Sequence, residues 1–349
     1  MTARPRLGIV LFQLGGPDGP DSVEPFLYNL FSDPDIIDLP LGWLLRRPLA
    51  RWIARRRSAQ ARAGYAAIGG GSPIRLLTER QARALEAALR PHVDAVVVVA
   101  MRYWHPFTSE AVASLARHPF DDVVLLPLYP QYSVTTTGSA LNEWRRCFKI
   151  KDAHVHIVDR FYGHPGYIAA VVEKIALCLP HFSRGGTSPG GPHLIFSAHS
   201  TPVSFVERGD PYQREIEETV RLVIERGRES APNVAEGLSR QPPQVTVHSA
   251  WPSHHTLCYQ SKVGRRKWLE PSLTATIERL AGEGVKQMLV VPISFVSEHI
   301  ETLHEINDEA RALALRLGVT QFEMVPAVGD SPRFIAALAD LALRAAQPK

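Results

Sequence analysis

The fold is decided by the stretch at residues 291–311, which reads VPISFVSEHIETLHEINDEAR. It opens as the end of an apolar run at residues 288–293, and a run of this length is typical of a parallel strand buried on both faces. A short link then leads into a segment dense in carboxylates and imidazoles, for which a helix is predicted. Open α/β sheets hold their ligands at the carboxyl ends of their strands, so this segment is predicted to line a ligand site.

The predicted helix carries a line of carboxylates along one face. Written as an α-helix, the segment spaces four glutamates at i, i+3, i+7 and i+11, with His299 in the first turn. They are Glu298, Glu301, Glu305 and Glu309. A solvated acidic face is the usual meaning of such a line, since like charges one turn apart weaken a helix by only about 0.2–0.5 kcal/mol per pair. The position after a buried strand and the mixture of imidazole with carboxylate favour a site for iron, nickel or zinc instead.

Apolar strands alternate with amphipathic helices in both directions from this stretch. Further strands are predicted at residues 7–14, 95–100, 122–128, 155–158, 193–198, 257–260 and 322–325. Strands that alternate with helices form parallel sheets with helices on both faces. The sequence therefore predicts an α/β fold of two similar Rossmann-like, doubly wound halves with a cleft between them.

A linker is predicted at residues 183–192, SRGGTSPGGP, because this segment is rich in glycine, serine and proline. It divides the chain into an N-terminal half at residues 1–182 and a C-terminal half at residues 183–349, which carries His199 and the acidic helix. Residues 226–244 are polar and contain two consecutive prolines, so an inserted loop is expected there.

Composition indicates a globular protein of one large or two medium domains. The chain has 349 residues, of which 45% are hydrophobic and 21% are charged, and its net charge is +4. So small a positive charge gives no reason to expect a nucleic-acid partner. The three cysteines lie far apart, which fits a reducing compartment and predicts a cytoplasmic location. Neither a signal peptide nor a membrane-spanning segment is expected.

Residues 39–57, LPLGWLLRRPLARWIARRR, form the most unusual surface segment. Tryptophans, leucines and an isoleucine are interleaved with six arginines. A helix of this kind lies in a bilayer interface, which predicts peripheral contact with the inner face of a membrane. The alternative is a helix packed on its own domain with its arginines in solvent. Both interpretations stay open, and Pro48 is expected to break the segment into two short pieces.

Seven segments carry a family pattern when they are taken together and in order. They are LGGPDGPDSVEPFLYNLFSDPDII at 14–37, IGGGSPI at 68–74, MRYWHP at 101–106, LYPQYSVTTTGS at 128–139, FSAHSTP at 196–202 with GDPYQREIEET at 209–219, QSKVG at 260–264, and VPISFVSEHIETLHEI at 291–306. In this order they resemble the ferrochelatases, the enzymes that insert ferrous iron into a porphyrin. Any single segment is modest evidence, whereas seven in the family's order are specific.

The resemblance implies a lyase that inserts ferrous iron into protoporphyrin IX, or a close porphyrin, held in the cleft between the halves. By this resemblance His199 and Glu301 are catalytic, and the metal-binding residues are His199, Glu301, His299, Glu305 and Glu309. The substrate-binding residues that it implies are Arg102, Tyr132, Ser133, Tyr212 and Trp268. Residues 39–57 then form a lip of the pocket. Iron and porphyrin are substrates, no cofactor is permanently bound, and the lack of a C-terminal cysteine cluster implies no iron–sulfur cluster.

Three positions depart from the family pattern. Gln13 stands where many members have asparagine, and Glu298 and Asn307 replace aspartates. These substitutions are expected to affect the fine tuning of the site more than the presence of the activity.

Three other functions stay open. A chelatase for cobalt or nickel with another tetrapyrrole would use the same ligands, since affinity alone does not select the metal. A haem or metal carrier without turnover is the second, and the paired base and ligand residues argue against it. A dinucleotide-dependent enzyme is the third, and the missing glycine fingerprint weakens it.

Overall fold

The computed structural model describes residues 6–36, 42–149, 154–182, 191–237, 251–262 and 266–347. The strands in chain order are β1 (Arg6–Gln13), β2 (Asp94–Met101), β3 (Asp122–Pro127), β4 (His154–Ile157), β5 (His193–His199), β6 (His255–Gln260), β7 (Gln287–Pro292) and β8 (Gln321–Met324). The helices are α1 (Val23–Ser32), α2 (Gly42–Ala67), α3 (Ile74–Leu89), α4 (Thr108–Leu115), α5 (Ser139–Cys147), α6 (Pro165–Cys178), α7 (Val203–Glu207), α8 (Tyr212–Gly237), α9 (Leu273–Gly282), α10 (Arg311–Arg316) and α11 (Pro332–Ala345). Two segments, Val134–Gly138 and Glu301–Ala310, are π-helical.

The first of two compact units is built on a four-stranded parallel sheet in the order β2–β1–β3–β4. One face of the central strand β1 packs through Val10 and Phe12 against Leu115 of α4 and Trp144 of α5. On the opposite face Ile9 is fully buried, and α3 and α11 contact strands of the sheet. Burial of each such side chain contributes about 1.5–3 kcal/mol, so this core dominates the stability of the unit.

The second unit repeats the design with a parallel sheet in the order β6–β5–β7–β8. Ile195 of β5 and Val290 of β7 pack against Ile277 of α9 and Ile306 of the π-helix Glu301–Ala310. This is the strand order of the first sheet, because β5 to β8 take the places of β1 to β4. The predicted α/β fold with two similar parallel halves is confirmed.

The two units divide the chain differently from the predicted linker. The first contains Met1–Phe161, Ser297–Ile300 and Gly329–Lys349, and the second contains Tyr162–Val296 and Glu301–Val328. The reason is packing: α6 contacts α8 in the second unit, and α11 contacts α3 in the first. The C-terminal helix is therefore grouped with the N-terminal sheet. Most of the predicted linker, residues 183–190, lies outside the described residues.

The prediction that Pro48 breaks the segment at residues 39–57 is wrong, because one continuous helix, α2, runs through it. Pro48 lies in the second turn, where it removes a single main-chain hydrogen bond. The inner face of α2, with Ala50 and Ala54 buried against α1, outweighs that loss. Residues 39–41 lie outside the described residues.

The prediction of a loop from residue 226 onward is wrong as far as residue 237, because α8 continues to that point. The added residues include arginine, glutamate and alanine, which are good helix formers. Arg226 also lies 3.6 Å from Glu229, one turn further along. The rest of the predicted loop, residues 238–244, lies outside the described residues.

Candidate active site

β5 ends at a histidine, and the parallel register brings two other strand ends near it. His199 is the last residue of β5 and pairs with Gln260 at the end of β6, while Ser197 pairs with Pro292 at the end of β7. The carboxyl ends of three parallel strands thus meet at one edge of the second sheet, where such sheets bind ligands. His199 exposes 40% of its side chain, so its imidazole is open to a ligand.

The imidazole of His199 contacts the carboxylate of Glu301 directly. Nδ1 lies 2.7 Å from Oε2 of Glu301, the first residue of the π-helix. Only 15% of the Glu301 side chain is exposed, so the pair is partly removed from water. A carboxylate in this position accepts a hydrogen bond from Nδ1–H and leaves the lone pair on Nε2. The arrangement therefore makes His199 a base or a metal ligand.

Side chains hold both main-chain groups of His199. Its amide donates to Oγ of Ser294 over 3.0 Å, and its carbonyl oxygen accepts from the hydroxyl of Tyr212 over 3.0 Å. Tyr212 is buried at the start of α8, and Ser294 follows β7. The imidazole is thus presented from a main chain that is fixed on both sides. Ser294 was not predicted, although it lies in the last of the seven family segments.

A serine joins Glu301 to the next glutamate along the π-helix. Oγ of Ser261 lies 2.9 Å from Oε2 of Glu301 and 2.5 Å from Oε2 of Glu305. The preceding residue, Gln260, donates its side-chain amide to the main-chain oxygen of Glu301 over 3.3 Å. The end of β6 therefore fixes the first turn of the π-helix. Neither residue was predicted as part of the site, although both lie in the family segment at residues 260–264.

Opposing influences set the proton affinity of His199. Burial lowers the pKa of the imidazole, but the charge of Glu301, its hydrogen bond and the charge of Glu305 together raise that pKa above 6.5. Burial also raises the pKa of the Tyr212 hydroxyl well above its ordinary value, so Tyr212 stays a neutral donor at physiological pH.

We expect Glu301→Gln to lower the pKa of His199, because the substitution removes the negative charge that favours the imidazolium. In the wild type the raised pKa makes the imidazolium a source of stability that is fully present below pH 6.5 and is lost as pH rises through the folded-state pKa. An NMR titration of the imidazole resonances of the metal-free protein measures the pKa in both proteins. The resonance of the exposed His254 is the internal control, and an unchanged midpoint for His199 contradicts the expectation.

The carboxylates do not form the single α-helical stripe that their spacing predicts. Glu298 and His299 precede the helix and belong to the first unit. The helix itself is π-helical, and its wider i→i+5 turn changes which residues share a face. Glu309 exposes 65% of its side chain, and its Oε1 lies 3.5 Å from Nε2 of His304. From Glu301 to Glu309 the line thus runs from a partly buried carboxylate to an exposed one.

The structure brings together part of the predicted metal-binding set. His199 and Glu301 are in contact, and Ser261 links Glu305 to them. Within the described ranges, no group of three or more His, Cys, Asp or Glu side chains is placed to hold a metal ion. The role of the whole set in binding iron stays a prediction.

Arg102 in the first unit is a buried and paired charge. Only 13% of its side chain is exposed, and its Nη2 lies 2.9 Å from Oδ2 of Asp33. Its Nε donates to Oγ of Ser139 over 2.7 Å. Asp33 is fully buried and also accepts from the hydroxyl of Tyr103 over 2.6 Å. Asp33 and Ser139 were not predicted as partners of Arg102, although both lie within family segments.

The other predicted substrate residues differ in how open they are. Tyr132 is half-buried, with the guanidinium carbon of Arg160 5.0 Å from its ring centroid. Ser133 is buried, and its hydroxyl accepts from the amide of Thr135 over 3.3 Å, which caps the π-helix that follows. Trp268 is half-buried, and its indole N–H has no hydrogen-bond partner among the described residues. Trp268 is therefore partly open to solvent, whereas Ser133 already has a structural role.

Solved structures give a likeness in fold alone. A multi-domain protein of Deinococcus radiodurans with structural similarity to chelatases superposes with a TM-score of 0.55 and 14% identity, covering 99% of this chain and 56% of that chain.

Similarity in sequence identifies the family of this chain as well as its fold. The family model described as Ferrochelatase matches residues 6–346. The ferrochelatase of Thermosynechococcus vestitus is 45% identical over 340 residues, which cover 96% of this chain and 81% of that protein. The ferrochelatase of Gloeothece citriformis is 44% identical over 344 residues, which cover 97% and 82%. The resemblance carried by the seven segments is thus confirmed, and this chain belongs to the ferrochelatase family.

Proposed function

We propose that the His199–Glu301 pair of this chain promotes the insertion of ferrous iron into protoporphyrin IX, which gives haem and releases two protons. One observation carries the assignment to this pair. Nδ1 of His199 lies 2.7 Å from Oε2 of Glu301, although 102 positions separate the two residues. The contact joins the end of a central strand to the start of a helix, at the sheet edge where such folds bind ligands.

Metal insertion needs a base, because two pyrrole N–H protons leave as the metal–nitrogen bonds form. With its Nδ1–H bonded to Glu301, His199 presents the lone pair of Nε2, which accepts one of these protons. The carboxylate of Glu301 stabilises the resulting imidazolium, as the aspartate does in a Ser-His-Asp triad. The same lone pair is the alternative ligand for the incoming iron.

Ferrous iron arrives as a hydrated dication and must exchange water for nitrogen ligands. We assign Glu305 and Glu309 to the path by which iron enters or protons leave. Their positions support this assignment, since Glu305 lies beside Ser261 and Glu309 is mostly exposed to solvent. We also assign His299 to the metal-binding residues, because of its position in the family segment at residues 291–306.

The macrocycle is assigned to the aromatic and basic residues named from the resemblance. Trp268 supports this assignment, because it is half-buried and part of its side chain is open to an aromatic ligand. Arg102 contributes a guanidinium already balanced by Asp33, which would meet a substrate carboxylate in a fixed orientation. Tyr212 and Ser133 are buried, so they act by holding the neighbouring main chain.

Anaerobic incubation of the protein with Fe²⁺ and protoporphyrin IX, followed by product absorbance, tests the proposal. Parallel reactions with Co²⁺, Ni²⁺ and coproporphyrin identify the preferred metal and porphyrin. Repeated turnover with iron is the expected result. A faster rate with cobalt or nickel would favour the alternative chelatase, and one equivalent of bound porphyrin or metal without product would indicate a carrier.

We also propose that α2 rests on a membrane surface. Leu44, Leu45 and Trp52 each expose more than half of their surface, while Ala50 and Ala54 face α1. Apolar side chains that alternate with arginines suit a bilayer interface, where guanidinium groups meet lipid phosphates. No helix in the described ranges is long and apolar enough to cross a membrane.

The proposed location is the cytoplasm, at the inner face of the membrane. Its support is the state of the cysteines, since Cys147, Cys178 and Cys258 are all free thiols. Free thiols suit a reducing compartment.

We expect the combined substitution Leu44→Ser, Leu45→Ser and Trp52→Ser to lower binding to anionic liposomes at least about ten-fold, because each lost apolar contact costs about 1.5–3 kcal/mol. Flotation of the protein with liposomes measures this binding. The matched control is Leu76→Ser, Leu315→Ser and Leu317→Ser, which removes exposed leucines from other elements. If wild type does not float, or both triple variants float equally, α2 is only a packed helix.

A further inference from the structure

We propose that Ser261 is a positioning residue of the reaction, which fixes the carboxylate of Glu301 against His199. The proposal rests on the proposed function of that pair. Oγ of Ser261 lies 2.9 Å from Oε2 of Glu301, and Nδ1 of His199 lies 2.7 Å from the same oxygen. Since one carboxylate oxygen makes both contacts, Glu301 cannot turn away from Ser261 without also leaving the imidazole.

The backbone of Ser261 adopts a conformation that serine rarely takes. Its φ is 64°, in the left-handed region, and it is the only non-glycine residue with positive φ among the described residues. Such a conformation persists only where the surroundings hold it. Gln260 supplies that hold, since its Oε1 accepts from Oγ of Ser197 over 2.6 Å and its side-chain amide donates to the carbonyl of Glu301. The turn after β6 thereby delivers the Ser261 hydroxyl to the acidic π-helix.

The hydroxyl of Ser261 also contacts a second carboxylate. Oε2 of Glu305 lies 2.5 Å from Oγ of Ser261. Two neighbouring carboxylates repel each other, and the single proton of the hydroxyl, donated to one of them at a time, offsets part of that repulsion. Without the hydroxyl, we expect Glu301 to lose its alignment with His199.

A purely structural role for Ser261 makes a different prediction for the reaction rate. Glycine adopts a positive φ without strain, so under a structural role Ser261→Gly would raise the melting temperature and leave the reaction rate unchanged. A positioning role predicts a protein that melts no lower than wild type and yet reacts more slowly.

The test compares Ser261→Gly, Ser261→Asn and Ser261→Asp in steady-state assays with Fe²⁺ and protoporphyrin. Asparagine and aspartate both tolerate a positive φ, but only the asparagine amide donates a hydrogen bond to the carboxylates. We expect the glycine and aspartate variants to lose about ten-fold or more in kcat, with KM for porphyrin within about two-fold of wild type. The asparagine variant should retain more activity than the aspartate variant. Ser253→Gly, at the exposed serine before β6, is the matched control and should react as wild type does.

Wild-type kcat in Ser261→Gly would overturn the proposal, and so would equal activity of the asparagine and aspartate variants. If the glycine variant unfolds, the comparison of these two near-isosteric variants decides. His199→Ala is assayed alongside. An active His199→Ala protein contradicts the proposed function of the pair, whereas an inactive one beside a fully active Ser261→Gly protein contradicts only the role of Ser261.

Discussion

Replacing His199 by alanine is expected to lower kcat by about 10²–10⁴-fold, the contribution of a positioned acid–base group. The protein should stay folded, because Ser294 and Tyr212 hold the main chain of residue 199 and not its imidazole. Anaerobic iron insertion measures the rate, and circular dichroism melting measures the stability. Added imidazole should restore part of the rate, since it replaces the lost base in the space left by the side chain.

His254→Ala is the matched control for this substitution. His254 is an exposed histidine just before β6, away from the carboxyl ends of the strands. We expect wild-type kcat in that variant. A His199→Ala protein that keeps most of the wild-type rate would remove His199 from the reaction.

Glu301→Gln is expected to lower kcat at least about a hundred-fold, because it removes the charge that stabilises the imidazolium and replaces an acceptor-only carboxylate with an amide that no longer fixes the tautomer. A side-chain amide can instead donate to Nδ1, which places the proton on Nε2 and blocks the base. The same steady-state assay of iron insertion measures kcat, and melting confirms the fold.

Glu309→Gln is the matched comparison, since it makes the same chemical change on the same helix. Glu309 is mostly exposed and contacts His304 rather than His199, so a loss below about ten-fold is expected. Equal losses in the two variants would show that the carboxylates act only as a common acidic surface.

Much of the fold could be predicted because its signals are local. The apolar run at residues 288–293 is a strand in the structure, β7, and all six residues of Gln287–Pro292 are buried. The path of the C-terminal helix could not be read in the same way. α11 belongs to the first unit because it packs on α3, and such a contact leaves no periodic trace in either segment.

The residues of the candidate site likewise fall into those that could be predicted from the sequence and those that could not. His199 and Glu301 were predicted from family segments, and the structure brings them into contact. Ser261 was not predicted, because its role depends on a positive φ and on carboxylates 40 and 44 positions away. The π-helical form of Glu301–Ala310 was not predicted either, since glutamates spaced by four fit an α-helix as well as a π-helix.

The two sheets share one strand order, but their central strands end in different residues. Gln13 ends β1 and pairs with Met101, as His199 ends β5 and pairs with Gln260. The side chain of Gln13 turns back and accepts from the amide of Leu14 over 3.0 Å. The two sheets thus share a strand order, and the His199–Glu301 pair lies at the end of the central strand of the second sheet.

The two units therefore respond differently to substitutions, whether these arise in evolution or by design. Every side chain that we describe as holding His199 belongs to the second unit. Substitutions around the end of β1 therefore leave the reacting pair intact. The first unit contributes in another way, since Arg102, which we assign to the substrate, belongs to it.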